Sequence, residues 1–188
     1  MKDFDAWDER WPDCRPIGHE LKWRVTERWV RFHALPGSKR YPDTAEERAE
    51  ILRRHGAVLE ALGAAGSIYL LRAELSSDPS PEEDPQPTLA RFDATWLRTC
   101  EEDQGEGEPP LYWHVFARVV AWRPGVLDEA LLAVADEKLW NILLTPPDLG
   151  WIFYPYDGGA DVFLPSRAAR NRLSRRFRVW LSPREDGL

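Results

Sequence analysis

Three stretches of the chain have apolar residues at the spacing of an amphipathic helix. The first begins at Thr44, where Thr44-Ala-Glu-Glu47 forms a capping box, and it ends at Gly63. The second begins near Leu127 after a Pro-Gly break, and the third begins after Ser166, a favourable N-cap residue. The periodicity therefore predicts three helices, separated by long stretches with a different pattern.

Those other stretches contain short runs of β-branched and aromatic residues, which favour strands. The runs are residues 29–35, 67–75, 94–101, 111–122 and 141–145. A Gly- and Pro-containing acidic loop separates the third run from the fourth, which indicates a hairpin.

A second hairpin is predicted around Asp157-Gly158, because this dipeptide favours the type I′ turn, with positive φ at both central residues. The inner face of this hairpin would be apolar, with the pairs Trp151–Leu164, Phe153–Val162 and Pro155–Ala160. The opposite face would present Tyr154, Tyr156 and Asp161.

This order of elements predicts a single α+β domain over residues 1–188. We expect a mainly antiparallel sheet of about five to six strands, packed by three helices. Residues 1–22 show no clear period and are predicted to wrap the domain as irregular structure. Residues 76–87 and 101–110 are predicted to be acidic loops.

Charge is distributed unevenly along the chain. The formal net charge is −7, yet the two acidic loops contain no basic residue, so the remaining chain is near neutral. This disfavours nucleic acid as a partner. The charged N-terminus and the absence of an apolar run of ~20 residues predict no membrane association and a cytoplasmic location. Cys14 and Cys100, far apart in the chain, are expected to be free thiols of a reducing compartment.

The first candidate site is the junction between the first strand and the first predicted helix. A helix N-terminus favours anions, so basic residues there could bind a carboxylate or phosphate. The alternative is an ordinary polar loop that pairs with the acidic loops. The candidate residues are Arg31, His33, Ser38, Lys39, Arg40 and Tyr41.

The second candidate site is the Asp157-Gly158 hairpin. Its residues Tyr154, Tyr156, Asp157 and Asp161 could bind a cation, a sugar or a basic partner. Paired carboxylates also suit general acid–base chemistry. Turn formation and ordinary cross-strand pairing explain the same residues without a function.

The third candidate is the arginine-rich face of the last predicted helix, which could bind nucleic acid or an acidic partner. The alternative is a solvated face whose positive charges balance the acidic loops of the same molecule. No histidine or cysteine spacing fits a metal site, and no phosphate-binding or nucleophile motif is present. We therefore expect no metal and no cofactor.

Two blocks of sequence resemble the signature blocks of an uncharacterised bacterial family, RFHxLPxSKRY and PYDGGxD. Here they are Arg31-Phe-His-Ala-Leu-Pro-Gly-Ser-Lys-Arg-Tyr41 and Pro155-Tyr-Asp-Gly-Gly-Ala-Asp161. The resemblance extends over most of the chain and implies no established activity. Gly37 stands where many relatives have Glu, and Gly56 where they have Asn.

Together these features favour a non-catalytic intracellular protein that binds another protein, as immunity proteins and antitoxins do. The first alternative is an enzyme or ligand-binding domain for an anionic small molecule. In it, Arg31, Lys39 and Arg40 would hold the anion and Asp157 or Asp161 would act as base. The second alternative is nucleic-acid binding through the C-terminal arginine helix. We further predict that the SKRY segment (residues 38–41) and the DGG turn (residues 157–159) lie close in space.

Overall fold

The computed structural model of this chain describes residues 5–81 and 94–182. The described part forms an α+β domain built on one antiparallel sheet. The helices are α1 Asp5–Arg10, α2 Gly18–Arg24, α3 Ala45–Ala61, α4 Asp128–Ala135 and α5 Arg167–Arg176. The strands are β1 Trp29–His33, β2 Ser67–Ser76, β3 Thr95–Glu102, β4 Leu111–Ala121, β5 Ile142–Thr145, β6 Ile152–Tyr156 and β7 Gly159–Phe163.

The seven strands are hydrogen-bonded in the order β1-β7-β6-β5-β2-β4-β3, and every neighbouring pair is antiparallel. The predicted hairpins β3–β4 and β6–β7 are both confirmed. The expected number of about five to six strands and three helices was too low. The first acidic segment is described only to residue 81, so the rest of that predicted loop lies outside the described residues.

One face of the sheet is covered by α3, α4 and α5, as the three amphipathic patterns predict. Thr44 caps α3, its side chain accepting a hydrogen bond from the Glu47 amide at 3.2 Å. Ser166 caps α5 in the same way. Alternate residues of the central strands meet these helices in the largest apolar cluster, which includes Phe153 and Val162. The predicted apolar face of the β6–β7 hairpin is this surface.

The opposite face is covered by the N-terminal segment, which is not irregular throughout as predicted. It forms the two short helices α1 and α2. Trp7 and Trp11 are fully buried and pack against the sheet. The indole N–H of Trp11 donates to the carbonyl of Leu149 at 3.0 Å, and that of Trp7 to the carbonyl of Cys14 at 2.6 Å. Burial of the two indoles and the long-range bond of Trp11, rather than sequence periodicity, hold this part of the segment against the sheet.

The β6–β7 turn has the predicted register but not the predicted type. Tyr156 pairs with Gly159, so Asp157 and Gly158 are the two turn residues. Neither has positive φ, so the turn is not type I′. The required glycine is instead Gly159, because a Cβ there would overlap the carbonyl oxygen of Phe32 in β1.

His55 of α3 gives the fold a predicted dependence on pH. Its ring is buried against Phe153, with ring centroids 5.5 Å apart, and burial lowers its pKa from 6.5 to about 4. A folded-state pKa below the unfolded value means that the unfolded chain binds the proton more readily. The stabilisation is thus complete above pH 6.5 and is lost as the pH falls towards 4.

We expect His55→Leu to reduce this acid sensitivity. Between pH 7 and pH 4 the wild-type free energy of unfolding should fall by roughly 3 kcal/mol because of His55, since each pKa unit is worth about 1.4 kcal/mol. Urea denaturation across this range measures the slope. In the variant, the free energy of unfolding should still depend on pH, but less steeply, because burial also lowers the pKa of His33. Identical slopes in wild type and variant would contradict the assignment.

Candidate functional site

The antiparallel order brings both signature blocks and both acidic segments to one edge of the sheet. At this edge β1, β2, β3 and β6 end, and β4, β5 and β7 begin. We call it the acidic rim. It comprises residues 33–41, 76–81, 101–111, 137–142 and 156–159. The SKRY segment and the DGG turn therefore lie together, as predicted.

The strongest link between the two blocks is the ion pair of Arg31 and Asp161, which face each other across β1 and β7. The guanidinium donates from Nε to Oδ1 at 2.7 Å and from Nη2 to Oδ2 at 2.8 Å. Its carbon also lies 4.9 Å from the centre of the Tyr156 ring. Asp161 is 1% exposed. Both charges are thus neutralised inside the fold.

Lys39 does not offer a free charge at the start of α3. Its Nζ donates to Asp43 at 2.8 Å and to Glu47 at 2.5 Å, and these carboxylates raise the pKa of Lys39. Glu47 also accepts a hydrogen bond from the Asp43 amide at 2.6 Å. The protein's own carboxylates therefore occupy the position where an anion was predicted.

The rest of the SKRY segment reaches the hairpin directly. Arg40 forms an ion pair with Asp157, and the Tyr41 hydroxyl donates to Glu137 at 3.2 Å. Ser38 is exposed, with a φ of 58°. His33 lies opposite Gly159, and its Nε2 has no hydrogen-bond partner within the described residues.

The N-terminal segment covers part of the polar face of the hairpin. Tyr154 packs so closely on Gly18 of α2 that a Cβ at Gly18 would overlap its ring. Burial raises the pKa of Tyr154 to about 12, and it raises that of Tyr156 as well. Both phenols stay protonated at neutral pH, and Tyr154 helps to dock the N-terminal segment.

The exposed part of this region centres on Trp140, which the sequence analysis did not single out. It lies between α4 and β5, and 56% of its surface is exposed. Trp140 lines two neighbouring cavities at the acidic rim, of about 330 Å³ and 450 Å³. The first is bounded also by Glu137 and residues 154–157, the second by Glu74, Leu75 and Trp113. A tryptophan just past the last apolar position of a helix is the only sequence signal for it.

Charge at the acidic rim is unbalanced in the described residues. The lysine and arginine side chains of the rim, namely Lys39, Arg40 and Lys138, are each paired with a carboxylate, as are Arg15 and Arg72 beside it. Six carboxylates have no ion pair within the described residues, namely Asp78, Glu101, Asp103, Glu106, Glu108 and Glu137. The rim therefore carries a negative potential beside an exposed aromatic side chain.

The arginine face of α5 lies at the other end of the sheet, after β7. Arg170 donates to the carbonyl of Trp29 at 3.0 Å, and Arg167 pairs with Glu27 at 3.2 Å, where both side chains are exposed. No ion pair in the described part of the chain joins α5 to the acidic segments. The structure therefore does not support the suggestion that these arginines balance the charge of the acidic loops.

Other kinds of site find little support among residues 5–81 and 94–182. No group of three or more histidine, cysteine, aspartate or glutamate residues is placed to hold a metal. Cys14 and Cys100 are free there, and burial raises the pKa of both thiols. No helix of the described part is long and apolar enough to cross a membrane.

Comparison with known proteins adds a family but no activity. Neither a curated protein nor a solved structure matches the chain. A family described as a domain of unknown function, DUF3885, matches residues 17–185, which include both signature blocks, α2 to α5 and the whole sheet. The chain therefore belongs to the DUF3885 family.

Proposed function

We propose that this protein is a non-catalytic binding protein, and that its acidic rim engages a basic surface of another protein in the cytoplasm. An immunity protein or antitoxin binds its toxin in this manner. The observation that carries the proposal is Trp140, a tryptophan that is more than half exposed and lies between two cavities. Buried tryptophan anchors dominate the binding energy of many interfaces, so leaving one exposed suits a protein that awaits a partner.

Further exposed apolar groups extend the same surface. Leu75 is 47% exposed and Tyr41 is 42% exposed. Tyr41 belongs to the acidic rim and Leu75 lies next to the rim in β2, so the two are on either side of Trp140 in the strand order. Together they form an apolar centre within a charged border, which is the usual anatomy of a protein interface.

The unpaired carboxylates indicate the chemistry of the partner. Complementary charge accelerates association and disfavours wrong partners. Lysine and arginine side chains would find unpaired carboxylates on both sides of Trp140. A basic protein therefore fits this rim better than an acidic or neutral one.

The anionic small-molecule alternative has the meeting of the SKRY segment and the DGG turn in its favour. It lacks an available cation there, since Arg31, Lys39 and Arg40 are each paired with carboxylates of the same chain. An anion would have to displace these partners. The convergence is better explained as an internal brace that holds the turn and the loop of the rim together.

Site-specific photo-crosslinking tests the proposed function. A benzophenone amino acid is placed at position 140, or as a control at position 96, where the native Trp96 is 47% exposed on β3. We expect a crosslink to a basic protein in cells from position 140 and none to it from position 96. A crosslink from position 140 to nucleic acid, equal crosslinking from both positions, or no crosslinked protein would contradict the proposal.

A further inference from the structure

A third cavity lies at the opposite edge of the sheet, away from the acidic rim. Its volume is about 430 Å³, which is within the range of small-molecule sites. Its apolar lining includes Trp151, Leu164 and Leu173, all of them buried. Asp148, Gly150 and Trp151, between β5 and β6, and residues 164–165, after β7, form part of the wall.

Three arginines line this cavity, and they come from both ends of the chain. Arg10 belongs to α1, whereas Arg172 and Arg176 belong to α5 and lie one turn apart on that helix. All three side chains are exposed, and none forms an ion pair within the described residues. This contrasts with the acidic rim, where each basic side chain is paired.

One acidic residue, Asp148, also lines the cavity. Its Oδ1 accepts a hydrogen bond from the Gly150 amide at 3.1 Å, so it shapes the loop between β5 and β6. None of the three arginines pairs with it in the described part of the chain. The cavity therefore has a net positive lining, although the chain as a whole has a formal net charge of −7.

We propose that this cavity binds a small phosphate monoester with an apolar or aromatic body. Guanidinium groups bind phosphate oxygens through paired, charge-assisted hydrogen bonds. A phosphate monoester presents three terminal oxygens and up to two negative charges, so it can use more arginines than a carboxylate, which has two oxygens and one charge. The body of the ligand would rest on the apolar wall formed by Trp151, Leu164 and Leu173.

This inference is independent of the proposed protein partner, since it concerns another edge of the sheet and another class of ligand. It also places anion binding away from the SKRY segment, where Lys39 and Arg40 are already paired with carboxylates. Arg172 and Arg176 belong to the arginine face that suggested nucleic acid. Here they line an open cavity together with Arg10 rather than an extended helix surface.

Isothermal titration calorimetry with three probes tests the ligand class. Phenyl phosphate has both the ring and the anion, whereas inorganic phosphate and benzyl alcohol each have only one. We expect phenyl phosphate to bind at least about tenfold more tightly than either single-featured probe, because the two contacts act together. Equal affinity for benzyl alcohol, or no binding of phenyl phosphate at millimolar concentration, would overturn the inference.

Matched variants locate the binding. Arg172→Met and Arg176→Met keep the aliphatic stem and remove the charge, and each should weaken phenyl phosphate binding about tenfold. Arg175→Met is the control, because Arg175 is exposed on the same helix and does not line the cavity. All three side chains are exposed, so all three variants should keep the wild-type melting temperature. An equal loss in the control would show general charge attraction and would overturn the inference.

A vesicle experiment separates a soluble ligand from a lipid headgroup. Phosphatidic acid vesicles present the same phosphate monoester chemistry on a membrane surface. We expect the protein to bind phenyl phosphate in solution and to stay in the supernatant when these vesicles are sedimented. Co-sedimentation that is lost in Arg172→Met, without binding of phenyl phosphate, would overturn the assignment to a soluble small molecule.

Discussion

Gly159→Ala is expected to destabilise the protein by about 3 kcal/mol or more, as overpacking at a close backbone approach does. A methyl group at this position would overlap the carbonyl oxygen of Phe32 and lie 3.1 Å from the Cα of His33. Both neighbours are backbone atoms of β1, so no side-chain rotation can relieve the overlap. The loss would be a large part of the usual stability of a single domain.

Gly56→Ala is the matched control for this substitution. Gly56 lies inside α3, and a Cβ there would have nothing within 4 Å. Alanine should therefore stabilise the helix by about 0.5 to 1 kcal/mol. Urea denaturation of both variants measures the difference. A wild-type midpoint for Gly159→Ala would mean that β1 and β7 do not approach each other as described.

Asp161→Ala is expected to cost about 3 to 5 kcal/mol, the usual penalty for removing one partner of a buried ion pair. The substitution leaves the guanidinium of Arg31 uncompensated between β1 and Tyr156. Glu27→Ala is the control, because Glu27 and its partner Arg167 have side chains 72% and 74% exposed. This exposed pair should contribute less than about 1 kcal/mol.

A double variant distinguishes the ion pair from general packing. If Asp161→Ala acts by leaving Arg31 charged and unpaired, then adding Arg31→Met should recover part of the lost free energy of unfolding. Thermal and urea denaturation give the four values of this cycle. Strictly additive losses would show that the two side chains stabilise the sheet independently.

Local signals in the sequence account for most of the elements. The capping box at Thr44 and the cap at Ser166 act within one helical turn, so the residues that define them are adjacent in the sequence. The alternation around Asp157-Gly158 likewise determines the register of β6 and β7, because a shift of one residue would expose the apolar face.

Features that depend on distant contacts could not be predicted in this way. Trp11 is oriented by Leu149, 138 residues away, and six-residue helices such as α1 have no reliable periodicity. The sequence pattern of the turn predicts that glycine is required at position 158. In the structure glycine is required at position 159 instead, because β1 approaches the backbone there. Sequence patterns within the hairpin contain no information about that approach.

The sequence predicted where the candidate site lies but not which of its charges are paired or which side chains are exposed. Grouping charges at strand ends correctly brought the SKRY segment to the DGG turn, where Arg40 pairs with Asp157, but it did not predict the pairing of Arg31 with Asp161. Spacing could not show that these charges neutralise each other and leave no cation for a ligand. Trp140 was missed because exposure, rather than residue type, makes it notable, and exposure follows from the packing of α4 on the sheet.

The most direct test of the acidic rim is the affinity of the crosslinked partner for three proteins: wild type, Trp140→Ala and Trp96→Ala. Both tryptophans are about half exposed, so the two substitutions should lower the free energy of unfolding by similar amounts, about 1 to 3 kcal/mol each. Calorimetry should show at least about a thirtyfold loss of affinity for Trp140→Ala, as for a hot-spot tryptophan. Trp96→Ala should bind like wild type, and the wild-type affinity should fall with added salt. Equal affinities for all three proteins, independent of salt, would contradict the account.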